Sequence, residues 1–223
     1  MAARPGGVGK LIYLSSTTSI PEKYLDYFGF MLHSNQIVNT MYKQVKEQKR
    51  PWMLDNGAFQ NAGFDTARWL ETLLKYKKFI PQCIAVVLPD KVGNALETLR
   101  LFTYYHRIPK DLGYPIAFVS QDGITPLMTP WDYFDVLFIG GSDEHKLGRE
   151  AGIMIAEAKA RKKWIHVGRV NSPARISQFW HVNSVDGTHI NFEPDKASKE
   201  IACAIKNVNA KKENKPLFII EEF

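Results

Sequence analysis

The sequence predicts an α/β protein, a compact single-domain (β/α)8 barrel of the TIM-barrel type, on two observations. Eight short apolar runs alternate along the chain with segments of helical period, a pattern typical of parallel strands joined by crossover helices. Polar residues follow six consecutive runs, at the strand ends where such a barrel carries its chemistry. A doubly wound open sheet is the alternative architecture that the same alternation permits.

The elements follow from apolar runs and from the residues that start helices. The eight predicted strands lie at 11–14, 29–32, 52–54, 84–88, 116–119, 136–139, 164–167 and 183–185. Helices are predicted at 34–49, 65–78, 93–107, 143–162 and 172–181, with a last helix at 195–207. Asp65 and Asp143 are predicted N-caps, and Ser172 before Pro173 predicts a third helix start.

The domain organisation is simple. No repeat, low-complexity segment or linker divides the 223 residues, so a single domain over 1–223 is expected. Within it, residues 1–10 are expected to be flexible and residues 208–223 to form a C-terminal tail. A hydrophobic content of 45% and a charged content of 23% are typical of a globular protein.

Charge and cysteine content restrict the partners and the setting. The net charge of +6 suits a polyanionic partner such as nucleic acid, although lysine-rich solvated helix faces give the same balance. Cys83 and Cys203 both lie in apolar stretches and are predicted to be buried thiols, which fits a reducing, cytoplasmic setting. No membrane partner is expected, because no apolar run approaches the length of a span and residues 1–10 lack the apolar core of a secretory signal.

The candidate site is formed by the six polar strand ends. They contain aspartates that can act as nucleophile, acid or base, and glycines that let backbone approach a ligand closely. Aspartate and glycine after a strand are also ordinary turn residues, so six such ends in succession, rather than any one of them, favour a site. The segments are 54–59, 88–90, 119–123, 139–142, 166–169 and 185–188. The six histidines and two cysteines show no metal-ligand pattern, so no metal is predicted.

Taken in order, these segments resemble the tRNA-guanine transglycosylases and, more closely, their DNA-modifying relatives, the 7-deazaguanine DNA transglycosylases of phages and bacteria. Residues 55–60, Asp-Asn-Gly-Ala-Phe-Gln, are similar to the family's Asp-Ser-Gly-Gly-Phe-Gln. Residues 87–90 stand in the place of the Leu-Asp segment that reads the base, and 119–123 are similar to Val-Gln-Gly-Gly.

The later segments continue the resemblance, which spans about residues 50–190. Residues 138–141 match Ile-Gly-Gly, 166–173 resemble Met-Gly-Val-Gly-Thr-Pro, and 184–188 stand where the family carries its nucleophilic aspartate. The family's zinc site of three cysteines and a histidine is missing, and the chain is shorter than a tRNA-modifying member. Both departures favour DNA over tRNA as the substrate.

The resemblance implies a role for each candidate residue. Asp186 would be the nucleophile and Asp55 the general acid and base. Asp90 would accept hydrogen bonds from N1–H and the 2-amino group of guanine, and Gln121 and the N–H of Gly141 would donate to O6. Gly140, Phe59 and Arg169 complete the predicted substrate-binding residues, with Arg169 on phosphate.

The partners implied are DNA and a free base such as 7-cyano-7-deazaguanine, with no cofactor. The location is the cytoplasm, that of the host if the chain is phage-encoded. Two other functions fit the same residues: a hydrolase of this fold that removes the base, and a non-catalytic nucleic-acid-binding barrel subunit.

Overall fold

Eight parallel strands close into a barrel in the computed structural model, which describes residues 9–17, 19–34, 39–58, 63–191 and 193–214. Each strand pairs with the next, and β8 pairs with β1, so the predicted TIM barrel is confirmed. The strands are Ile12–Ser15 (β1), Phe28–His33 (β2), Trp52–Asp55 (β3), Cys83–Val87 (β4), Ile116–Ser120 (β5), Val136–Ile139 (β6), Trp164–Val167 (β7) and Ser184–Asp186 (β8).

Helices connect the strands and surround the barrel. The α-helices are Asn39–Gln48 (α1), Thr66–Tyr76 (α2), Ala95–Tyr105 (α3), Arg107–Asp111 (α4), Asp143–Leu147 (α5), Arg149–Ala160 (α6), Pro173–Gln178 (α7) and Pro194–Asn214 (α8). Short 3-10 helices lie at Glu22–Tyr27, Lys77–Gln82, Trp131–Tyr133 and His189–Asn191. Among the described residues, no helix combines the length and the apolar character needed to cross a membrane.

Two of the three predicted helix starts are confirmed. The Asp65 side chain accepts a hydrogen bond from the Arg68 N–H at 3.1 Å, and Ser172 accepts one from the Arg175 N–H at 3.2 Å. The prediction for Asp143 is wrong, because Ser142 is the N-cap and accepts from the His145 N–H at 3.0 Å. Asp143 instead occupies the first helical position.

The helix predicted over 143–162 is interrupted. Gly148 has an extended backbone, with φ −82° and ψ 170°, and separates α5 from α6. A side chain there has no room, since a Cβ on Gly148 would lie 2.8 Å from the carbonyl oxygen of Glu144. Gly148 therefore ends α5 and lets α6 begin as a separate helix, and α5 follows the carboxyl end of β6.

The C-terminal tail predicted over 208–223 is wrong for its first part, because α8 continues through Asn214. Val208 is buried, and the Asn209 side chain pairs with both the N–H and the carbonyl of Leu11, at 2.7 and 3.0 Å. The Lys212 ammonium donates to the Val182 carbonyl at 2.7 Å. These contacts fasten the last turns of α8 to the barrel. Residues 1–8 and 215–223 lie outside the described residues.

Alternation along the strands sorts the apolar side chains into two clusters. The larger one lies between strands and helices and includes Leu11 and Tyr13 of β1. The smaller one contains the intervening residues Ile12 and Leu14, and it fills the barrel interior. Its other members are Met31, Met53, Ile84, Ala85, Val87, Ala117, Val119, Val136 and Trp164, with Phe138 packed against them.

The cysteine prediction is half correct. Cys83, the first residue of β4, is buried as predicted. Cys203 is exposed, because α8 buries the flanking residues Ala202 and Ala204 and turns position 203 outward. An apolar stretch on a helix does not bury every residue in it, since only one face meets the core.

We expect the Gly29→Ala variant to lose about 1–3 kcal/mol of its free energy of unfolding, the usual cost of overpacking a core. A Cβ on Gly29 would lie 2.5 Å from the Pro51 carbonyl oxygen and 2.6 Å from the Leu14 side chain. Urea unfolding followed by circular dichroism measures the change. Gly152→Ala, in α6 with open space around the added methyl, is the control and should be neutral or stabilising. Equal stability of the Gly29→Ala variant and the wild type would contradict the packing described for β1 and β2.

Candidate active site

A cavity of about 400 Å³ opens at the carboxyl ends of the strands. This volume falls in the range of small-molecule sites. Seven of the predicted site residues line it together: Asp55, Asp90, Gln121, Gly140, Gly141, Arg169 and Asp186. The eighth, Phe59, lies outside the described residues.

Asp186 ends β8 and is held from two sides. Its Oδ1 accepts a hydrogen bond from the backbone N–H of Arg169 at 2.6 Å, and the Nε2 of His166 lies 3.6 Å from the same oxygen. Burial alone would raise the pKa of Asp186, but the neighbouring His166, the Arg169 N–H and the charge of His33 outweigh it and lower the pKa. Asp186 is therefore a carboxylate that stays ionised although only 20% of its side chain is exposed.

Asp55 ends β3 and pairs with a histidine. The Nδ1 of His33, at the end of β2, lies 3.0 Å from Oδ2 of Asp55, which also accepts the Gly57 N–H at 3.3 Å. Burial lowers the pKa of His33, but the hydrogen bond and charge of Asp55 and the charge of Asp186 raise it more, so the net shift is upward. The His33–Asp55 pair is a place in the cavity where a proton can be held between two groups.

Asp90 stands between two amides. Asn56 Nδ2 donates to Oδ1 of Asp90 and Gln121 Nε2 donates to Oδ2, at 2.7 and 2.6 Å. The amides are themselves fixed, because the Gln121 Oε1 accepts the Gly93 N–H at 3.0 Å and the Asn56 Nδ2 also donates to the Leu88 carbonyl. Burial raises the pKa of Asp90 to about 6, assisted by the charge of Asp55 and opposed by the two amide hydrogen bonds.

The wall between these carboxyl groups is apolar and close to backbone. Val87, Val119 and Phe138 line the cavity from neighbouring strands. Gly140 has no room for a side chain, since a Cβ would lie 2.9 Å from Val119 and 3.0 Å from the Gln121 amide nitrogen. Gly141 has a φ of +79°, a conformation that favours glycine. A flat ligand could lie on this wall with its polar edge toward Asp90.

Two basic residues complete the site in different ways. Lys146 lines the cavity but is buried, and its ammonium lies 2.9 Å from Asp143 and 3.4 Å from the Gly168 carbonyl. Arg169 is exposed at the mouth and has a φ of 61°, which turns the chain so that its N–H meets Asp186.

Sequence reasoning missed His33, Asn56, Phe138 and Lys146 as cavity residues. His33 directly follows the predicted strand 29–32, so the same rule that selected the six polar strand ends would have found it. Asn56 lies inside the motif 55–60, next to the residue that was chosen. Lys146 had no such signal, because a buried lysine on a short helix after β6 looks like a solvated one in the sequence.

Within the described ranges, no group of three or more histidine, cysteine, aspartate or glutamate side chains is placed to hold a metal ion. The absence of a metal from the protein's chemistry stays a prediction.

No family model and no curated protein matches the chain. Among solved structures it is similar to tryptophan synthase from M. tuberculosis, with 10% identity and a TM-score of 0.43, over 73% of this chain and 61% of that one. It is also similar to L-talarate dehydratase from Polaromonas sp. JS666, with 11% identity and a TM-score of 0.43, over 82% of this chain and 52% of that one. The chain thus spans less than two thirds of either protein. Likenesses this distant carry no information about activity, and the resemblance to the transglycosylases stays a prediction.

We expect the stability of the wild type, relative to the Asp90→Asn variant, to fall as pH rises from about 4 to about 6. A carboxyl group with a raised pKa in the folded state binds a proton there that the unfolded chain has released, so folding is favoured at low pH and this gain is lost as the pH passes the folded pKa of about 6. The slope is at most about 1.4 kcal/mol per pH unit. Thermal unfolding of both proteins between pH 4 and 8 measures it, and a constant difference across that range would contradict a raised pKa at Asp90.

Proposed function

We propose that the protein is a pentosyltransferase that exchanges guanine in DNA for a free 7-deazaguanine, such as 7-cyano-7-deazaguanine, through a covalent aspartyl–glycosyl intermediate. The observation that carries the proposal is the cavity itself. An ionised Asp186, an Asp55 paired with a histidine and an Asp90 between two amides line one cavity of a size suited to a base. Displacement at a sugar carbon with a covalent intermediate uses two carboxyl groups, one as nucleophile and one as acid and base, so the presence of Asp186 and Asp55 in one cavity supports the proposal.

The first step is attack by Asp186. Its carboxylate forms a bond to C1′ of the nucleoside while the bond from C1′ to N9 of guanine breaks and the bonding electrons leave with the purine. The lowered pKa of Asp186 keeps the nucleophile ionised, and the backbone N–H of Arg169 orients it.

Asp55 transfers the protons in both steps of the reaction. In its acid form Asp55 gives a proton to the departing guanine, and its carboxylate then takes the N9 proton of the incoming 7-deazaguanine. N9 attacks C1′, and the ester bond to Asp186 breaks. His33, 3.0 Å from Asp55, shares the proton with it between the two steps.

Asp90 gives the site its preference for guanine. Its oxygens keep lone pairs for N1–H and the 2-amino group, although each already accepts one amide hydrogen bond. The free N–H for O6 comes from Gly141, which donates to no acceptor among the described residues, whereas the Gly140 N–H is used by the Ser120 carbonyl. Gln121 holds Asp90 in place, and one hydrogen of its amide remains for the base.

DNA reaches the site with the target base turned out of the helix stack, as enzymes that act on bases require. The exposed Arg169 at the mouth contacts phosphate in this proposal, and the net charge of +6 supports a polyanionic partner.

We expect Asp186→Asn to abolish exchange and the trapped covalent adduct, because the amide oxygen is a far weaker nucleophile. Asp55→Asn should lower the exchange rate by about 10²–10⁴, the usual contribution of a positioned acid or base. Guanine release from labelled DNA and incorporation of 7-cyano-7-deazaguanine are measured together, with denaturing gel electrophoresis for the adduct. Asp132→Asn, at an exposed position of the 3-10 helix Trp131–Tyr133, is the control and should behave as wild type.

Three results would contradict this function. Guanine release without incorporation would make the protein a hydrolase, and binding with neither reaction would make it a non-catalytic subunit. An adduct that persists in the Asp186→Asn variant would assign the nucleophile elsewhere.

We expect DNA binding to weaken steeply with salt, because lysine and arginine contacts release counterions from the phosphates. Replacing a residue that contacts one phosphate should reduce the slope of log K against log salt by about one, so this is expected for Arg169→Gln. Lys110→Gln is the matched control, since Lys110 is exposed on α4, before β5 and at the other end of the barrel. Fluorescence anisotropy at several salt concentrations gives the slopes, and an unchanged slope for Arg169→Gln would remove that residue from the interface.

A further inference from the structure

A chain of buried polar groups runs beneath Asp186 inside the barrel. The Trp164 Nε1–H donates to Ser184 Oγ at 2.9 Å, and the same oxygen lies 2.9 Å from Nδ1 of His166. The Nε2 of His166 lies 3.6 Å from Oδ1 of Asp186. Parallel pairing sets these neighbours, because His166 of β7 is in register with Ser184 of β8, two residues before Asp186.

The chemistry of these side chains fixes which group donates and which accepts in each hydrogen bond of the series. Trp164 can only donate, so Ser184 accepts from it and keeps one hydroxyl hydrogen and one lone pair for His166. A bare Nε2 would place its lone pair against the Asp186 carboxylate, so Nε2 carries the hydrogen. Ser184 then donates to the free Nδ1, or accepts from Nδ1 when the ring is protonated. In either case, an N–H of His166 points at Asp186.

Among the residues that the structure describes, His166 has no other partner for that nitrogen. Its side chain is fully buried, and Nε2 has no acceptor within hydrogen-bond distance among the described residues. The ring is held by Phe138, with centroids 4.5 Å apart. A buried, unpaired N–H is costly, and a separation of 3.6 Å closes to a hydrogen bond with a small movement of Asp186.

The two oxygens of Asp186 are therefore different. Oδ1 accepts the Arg169 N–H at 2.6 Å and faces His166, whereas Oδ2 accepts no hydrogen bond from any residue that the structure describes. The other groups that face this carboxyl group are His33, whose charge acts on it, and Tyr13, whose pKa is raised by burial and by the charge of Asp186.

We infer that His166 is a positioning residue that, with the Arg169 N–H, fixes Oδ1 of Asp186 and leaves Oδ2 as the atom that attacks C1′. This inference rests on the proposed function for the attack, but the His166–Asp186 contact itself does not.

The contact acts in both halves of the reaction. During attack it holds the carboxylate so that one lone pair of Oδ2 faces the sugar. During the return step, negative charge develops on Asp186 as the ester bond breaks, and the Nε2–H stabilises that charge at Oδ1. No proton needs to move from His166, so its function is orientation and electrostatic stabilisation.

The experiment compares His166→Met, which removes the donor and keeps a similar volume, with His166→Gln, whose amide keeps an N–H near the Nε2 position. The pKa of the Asp186 carboxyl group is followed by ¹³C NMR on protein labelled at aspartate, and guanine exchange is measured separately. His181→Met is the matched control, because His181 lies between α7 and β8 and does not line the cavity.

We expect His166→Met to raise the pKa of Asp186 and to lower kcat about 10- to 100-fold with little change in KM, as loss of a hydrogen bond to a charged group predicts. His166→Gln should recover part of both, and His181→Met should change neither. Ser184→Ala keeps His166 but removes the hydroxyl group that orients its ring. This variant should shift the Asp186 pKa and kcat in the same direction as His166→Met, and it provides the test if His166→Met does not fold.

An Asp186 pKa and a kcat that stay at wild-type values in the His166→Met and Ser184→Ala variants would overturn the inference. If wild-type protein shows no exchange, the proposed function fails, but the NMR titration still decides whether His166 holds Asp186. A kcat loss without any change in the Asp186 pKa would show that His166 acts only through packing and would also overturn it.

Discussion

The parallel pairing of β8 with β1 is the contact on which the site depends. Leu14 stands in register with Asp186, and this pairing closes a sheet whose two ends would otherwise be its most distant edges. Closure leaves only β1 between β8 and β2, so that His33 at the end of β2 lies near both Asp186 and Asp55. In an open sheet of the same strand order, β3 and β8 would lie five strand spacings apart, whereas closure through β1 reduces this to three.

The interior of the barrel then gives each carboxyl group its own environment. Between β3 and β6 the barrel interior is filled by apolar side chains such as Met53, Ala85 and Val119. Asp90 lies at the carboxyl ends of these strands, where burial raises its pKa although two amides donate hydrogen bonds to it. Strands β7 and β8 instead carry the polar groups of Trp164, His166 and Ser184. Asp186, at the carboxyl end of β8, has a lowered pKa despite its burial. Different surroundings within one cavity therefore shift the pKa values of these two carboxyl groups in opposite directions.

The eight strands could be predicted to within a residue or two, because each is a short apolar run and buried parallel strands have that composition. The residues at their ends followed from the same rule. Contacts that depend on strand register could not be predicted, and nothing in the sequence shows that His166 stands beside Ser184. The N-cap of α5 was also missed by one position, because it is Ser142 rather than Asp143. The extent of α8 was missed for a similar reason, since its last turns are held by Asn209 and Lys212 on distant backbone.

The outward orientation of Cys203 has a practical consequence. The chain has two cysteines, and the other one, Cys83, is buried within β4, so a thiol reagent meets a single accessible sulfur on the folded protein. That sulfur lies on the outer helix α8, away from the residues that line the cavity. A fluorophore attached there would travel with the rigid barrel and leave the mouth unobstructed, so that rotation of the whole molecule could be followed without redesigning the sequence.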